Sequence, residues 1–88
     1  MLTQTQAREA AWKLAEATAK HYPFPLRPEP SRVSFESHGN GRKVLDDACE
    51  FWSFIFRMDV PPGTLQHPDF VHIVVDPRTG KAAFLPLK

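Results

Sequence analysis

Residues 51–58, Phe-Trp-Ser-Phe-Ile-Phe-Arg-Met, set the frame for the chain. Read with the two-residue period of a strand, Trp52, Phe54, Phe56 and Met58 point one way. Phe51, Ser53, Ile55 and Arg57 point the other way. The first row is wholly apolar and needs a cover. The second is mixed, as suits a face partly open to water or to a partner. Residues 70–75, Phe-Val-His-Ile-Val-Val, repeat the pattern with Val71, Ile73 and Val75 on one face. Residues 32–37 alternate Val33 and Phe35 against Ser34 and Glu36, and residues 82–87 alternate Ala83, Leu85 and Leu87 against Ala82 and Phe84. Pro86 predicts that this last strand ends there or lies at a sheet edge.

The N-terminal segment has the other period. From 3 to 21, Ala7, Ala10, Ala11, Leu14, Ala15, Thr18 and Tyr22 fall on one broad face at about 100° per residue, with Trp12 at its margin. Thr3 and Gln6 stand at capping-box spacing, and Pro23 stops the helix. Glu9–Lys13 and Glu16–Lys20 are i,i+4 pairs that mark the wet side. Small side chains on the packing face predict a close approach to the sheet.

Turn chemistry joins these pieces. Residues 23–30 hold four prolines and read as a stiff, extended connector in which Phe24 and Leu26 pack over the core. The tetrapeptide Pro25-Leu26-Arg27-Pro28 matches a proline-groove ligand, but such patterns arise often by chance. His38-Gly39-Asn40-Gly41 is a turn, and 42–50 reads equally as loop, helical turn or strand start. Residues 59–69 form a loop with Pro61-Pro62-Gly63 and Pro68. Asp76-Pro77-Arg78-Thr79-Gly80-Lys81 suits a type I turn closed by a left-handed glycine. The expected fold class is α+β. One domain spans 1–88, with helix 3–21, connector 23–30 and a three- to four-stranded antiparallel sheet over 32–87.

Composition narrows the function classes. An 88-residue chain supports one core, filled here by two Trp and seven Phe. Eleven Lys/Arg against ten Asp/Glu, interleaved, give a formal charge of +1 and argue against a nucleic-acid binder. A single cysteine, Cys49, permits no internal disulfide and favours a cytoplasmic location. The start of the chain lacks the apolar core of a signal peptide, and no apolar run approaches the roughly 20 residues of a membrane span.

Candidate chemistry is thin. The histidines 21, 38, 67 and 72 have no second ligand at zinc spacing, and His67, Asp69 and His72 read as loop and outer-strand residues. Cys49 sits among Asp46, Asp47 and Glu50, which disfavour a thiolate. Those three carboxylates form the only acidic cluster, a place where a partner can be steered. The 76–81 segment lacks phosphate-loop spacing. The aromatics of 51–56 invite a base-stacking reading, but most lie on the row that the helix covers. No catalytic residue, metal or cofactor is expected.

The helix, then Trp52-Ser53-Phe54-Ile55-Phe56, then Val71-His72-Ile73-Val74-Val75-Asp76-Pro77-Arg78-Thr79-Gly80-Lys81, resembles small bacterial domains with a cystatin-like helix-on-sheet fold. These include immunity-protein families of toxin systems and PepSY-like domains. The resemblance covers roughly 44–85, and the proline-rich connector departs from it. It implies a protein that acts by binding, blocking a toxin by steric occlusion. The expected partner contacts are Phe51, Ile55, Arg57 and His72 on the outer face, His67 in the loop, and Asp46, Asp47 and Glu50. The alternatives are a self-associating domain, pairing a sheet edge near Val33 or Leu85 across a two-fold axis, or a small ligand binder or enzyme.

Overall fold

A computed structural model describes residues 1–38, 41–45, 49–66 and 69–85. The chain forms helix α1 (Gln4–Ala17), a 3-10 turn (Ala19–His21), strand β1 (Arg32–Glu36), a short helix α2 (Gly41–Val44), and strands β2 (Phe51–Arg57), β3 (Phe70–Val75) and β4 (Ala82–Phe84). The four strands make one antiparallel sheet in the order β1-β2-β3-β4. The α+β arrangement read from the periodicities is therefore the observed one, with four strands.

The start of α1 follows its sequence signal. Thr3 Oγ1 accepts from the Gln6 amide at 3.2 Å, and Gln6 Oε1 accepts from the Thr3 amide at 2.9 Å. The end comes earlier than the expected residue 21. The Thr18 hydroxyl turns back to the Leu14 and Ala15 carbonyls, at 3.0 and 3.3 Å, and meets the Tyr22 hydroxyl at 3.0 Å. Side-chain bonds of this kind compete with helix continuation, and Pro23 downstream disfavours helical geometry at Tyr22. The chain tightens into the 3-10 turn instead.

The helix lies on the face carrying Phe54, Phe56, Met58, Val71, Ile73 and Val75. Ala7, Ala11 and Ala15 are at most 1% exposed, and the flanking Ala10, Trp12, Leu14 and Tyr22 are half-buried. Glu9, Lys13, Glu16 and Lys20 are exposed on the far side. Register fixes the sheet side of this core. Val33 lies opposite Phe54 and Phe35 opposite Trp52, while Phe54 faces Ile73 and Phe56 faces Val71. Ile73 faces Phe84, so β4 gives Ala82 and Phe84 to the helix side and Ala83 to the other. Aromatic rings run along the row, with centroids 4.7 Å apart for Phe35–Trp52, 6.5 Å for Trp52–Phe54 and 6.3 Å for Phe54–Phe56. Trp12 of α1 meets Phe56 at 5.5 Å. Such pairs add to area burial, which is worth about 1.5–3 kcal/mol for each fully buried ring.

The connectors are tied down. Leu26 bridges Met58, Arg27 N donates to the Arg57 carbonyl and Asp59 N to the Pro25 carbonyl, so the proline-rich segment continues the β1 side of β2. Leu26 is buried there. The β3–β4 turn matches its sequence signal. Arg78 N donates to Asp76 Oδ1, Gly80 N to the Asp76 carbonyl, and Gly80 adopts φ +77°. Leu2 N donates to the Pro77 carbonyl at 2.7 Å and fastens the start of the chain to this turn.

Adding bulk under the helix is expected to be costly. Ala11→Leu should lower the urea midpoint at unchanged m-value, a loss of about 1–3 kcal/mol. Ala17→Leu, on the exposed side of the same helix, should change stability by no more than about 0.5 kcal/mol.

Candidate functional site

Among the described residues, one helix covers one face and the opposite face is covered in part. Here α2 and Leu45 lie over one end, where Leu45, Phe51 and Val74 are each at most 2% exposed and Val44, Ala83 and Leu85 pack around them. This corrects the expectation for Phe51. It does lie on the outer face, but a second small core buries it, so it offers no surface to a partner. The ambiguous stretch 42–50 thus begins as a helical turn whose apolar end caps β2 and β3.

Among the described residues, the centre of the outer face carries mainly polar side chains, with Ser53 buried and Ile55 and His72 half-buried. Arg32, Ser34 and Glu36 of β1, Ser53 and Ile55 of β2, and His72 of β3 surround a shallow depression of about 270 Å³. The spacing of two along each strand and the register Ser34–Ser53 and Ile55–His72 bring them together. Ser53 Oγ and His72 Nε2 are hydrogen-bonded diagonally across β2 and β3. Ser34 Oγ donates to Glu36 Oε2 at 3.0 Å. Burial holds the His72 pKa below the ordinary 6.5, Glu36 opposes that shift, and Arg32 adds to it. The imidazole is therefore neutral at neutral pH.

A serine bonded to a neutral imidazole, with a glutamate nearby, has the elements of a nucleophile and its base. Its setting differs from a hydrolytic site. Ser53 is 5% exposed in the middle of an interior strand. The amides of that strand serve the ladders to β1 and β3, so they do not converge on a developing oxyanion. The geometry suits a satisfied cross-strand pair that gives the depression a fixed polar floor.

The remaining expected contacts disperse. Arg57 is exposed and pairs with Asp69 at 2.7 Å, which ties β2 to the β2–β3 loop. Glu50 is half-buried beside Cys49 and the β3–β4 turn, in a separate hollow with Asp76 and Arg78. Asp46, Asp47 and His67 lie outside the described residues. Among the described residues no three of His, Cys, Asp and Glu converge as a metal site, and no helix is long and apolar enough to cross a membrane. Arg32, Ser34, Glu36 and Ser53 were not singled out by sequence, although β1's alternation marks the first three as one face.

A larger groove, about 490 Å³ and mainly apolar, lies where α1 ends, between Tyr22, Pro23, Met58, Phe70 and Phe84. Among the described residues, its lining includes no carboxylate, lysine or arginine. Comparison of the chain with protein-family models, curated proteins and solved structures finds no match to any of them.

The His72 shift sets a pH dependence. A folded-state pKa below 6.5 means that the unfolded chain takes up the proton first as pH falls. Stability from this group is thus fully present above 6.5 and declines from there down to the folded value. Denaturation across that interval is expected to show the decline, and His72→Gln should remove its share. An NMR titration should find the His72 ring changing state below 6.5.

Proposed function

We propose that this protein is a non-catalytic binding module of the immunity-protein kind, acting in the bacterial cytoplasm by docking on a partner protein and occluding it. The observation that carries this reading is the part of the outer sheet face that no described helix covers. Arg32, Ser34, Glu36, Ser53, Ile55 and His72 line it, while α1 packs over the helix side. Both charge signs occur around one half-buried isoleucine, and a neutral histidine forms part of the floor. Mixed charge around an apolar centre suits a protein surface better than a polyanion, in agreement with a formal charge of +1. The helix-on-sheet order and the Trp-strand and Thr-Gly-Lys hairpin resemblance support the toxin-blocking form of the reading. By the same resemblance the fold is of the cystatin-like type. Fold likeness alone does not carry function, so the partner has to be tested directly.

The test uses the products of genes adjacent to this one. Co-expression should rescue growth from one of them, and the two purified proteins should form a complex. Ile55→Asp, on the outer face, should weaken that complex by roughly tenfold or more, with circular dichroism showing the variant folded. A chain that binds no neighbouring product, or binds one with Ile55→Asp undiminished, would contradict the outer-face reading.

A further inference from the structure

β1 forms one edge of the sheet, so alternate backbone N–H and C=O groups along it point away from β2. Its sequence, Arg32-Val33-Ser34-Phe35-Glu36, is complementary in charge to its own reverse about Ser34. Both end residues are exposed, and neither forms an ion pair with a described residue. They are four residues apart on one strand, about 13 Å, too far to pair with each other. Phe35 is one of the three large apolar side chains that the described residues leave exposed, at 42%.

From this arrangement we propose that β1 pairs antiparallel with β1 of a second copy of the chain, across a two-fold axis at Ser34. An isologous contact pairs each residue with its mirror position. Ser34 then meets Ser34 of the other copy. Arg32 lies opposite the second copy's Glu36 twice over, on the outer face. Val33 lies opposite the second copy's Phe35 twice over, on the helix side, which covers the exposed part of the ring. Opposite charges and aromatic–β-branched pairs are favourable cross-strand neighbours. The two sheets become one of eight strands, and the two outer-face depressions lie side by side.

The charges also separate this edge from a protected one. Proteins blunt exposed edges with like charges, commonly lysines, which repel a second copy. Here antiparallel self-pairing turns each end charge into a complement. A parallel or shifted pairing loses that match, so the charges set register as well as attraction. A five-residue edge is a small contact beside the roughly 1,200–2,000 Å² of stable complexes, so the dimer forms at high concentration and dissociates on dilution.

Sedimentation equilibrium from about 10 µM to 1 mM tests this, a range that spans weak association. The mass should rise from the 10.0 kDa of one chain toward twice that value. Arg32→Glu alone and Glu36→Arg alone each place like charges opposite one another, and each should weaken association by roughly tenfold or more. Both side chains are exposed, so circular dichroism should show each variant folded. An equimolar mixture of the two single variants restores opposite charges at both positions and should dimerise again, as should the double swap. A mass of one chain throughout, a dimer indifferent to the single reversals, or variants that fail to associate when mixed would overturn the proposal.

Discussion

Everything in this fold depends on how near α1 comes to the sheet. A chain of 88 residues has one long helix to spend on covering a face. That helix covers it by presenting Ala7, Ala11 and Ala15, none more than 1% exposed, to a surface already filled by Phe54, Phe56, Ile73 and Val75. The large volumes are on the strands and the small ones on the helix. Pairing small residues with large ones across facing surfaces lets layers pack closely. The turn at Pro77 completes the arrangement by holding Leu2, just before the capping box, against the far end of the sheet.

The consequence is an asymmetric sheet. Its helix side carries the main core under α1, and among the described residues its outer side is sealed where α2 and Leu45 meet Phe51, Val74, Ala83 and Leu85. The unsealed part is where β1 and the centres of β2 and β3 present alternate polar residues. The proposed docking face and the proposed self-pairing edge adjoin there, because Arg32 and Glu36 belong to both. In a dimer, the half-buried Ile55 and His72 stay on the outer face while the β1 charges are engaged. Self-association and partner binding are therefore compatible on this face, and the edge charges are the point at which one can influence the other.

Periodicity makes most of the architecture legible in the sequence. The two-residue period over 51–58 and 70–75 and the 3.6-residue period over the first helix each assign a face, and those assignments match the buried rows. The Thr3–Gln6 spacing and the Asp76–Lys81 turn were equally readable, because each is a local geometry carried by adjacent residues. What the sequence left obscure depends on distant contacts. The fate of Phe51 depends on where Leu45 comes to rest, and no local pattern reports that. The union of Arg32, Ser34 and Glu36 with Ser53 and His72 requires the registers of two strand pairs, which follow from the folded core. The end of α1 at Ala17 reflects a hydroxyl of Thr18 that competes for the last carbonyls, a choice that helix period alone does not reveal.

The measurement that bears most directly on the helix-covered sheet is side-chain accessibility on its two faces, read by NMR with a freely dissolved paramagnetic probe. The expected result is a sharp contrast within one strand. Resonances of Ile55 and of the His72 ring broaden, while those of Phe54, Phe56 and Ile73 stay sharp and the Ala7, Ala11 and Ala15 methyls show contacts to the sheet. Broadening of Phe54 and Phe56 to the same degree as Ile55, or alanine methyls without such contacts, would contradict it.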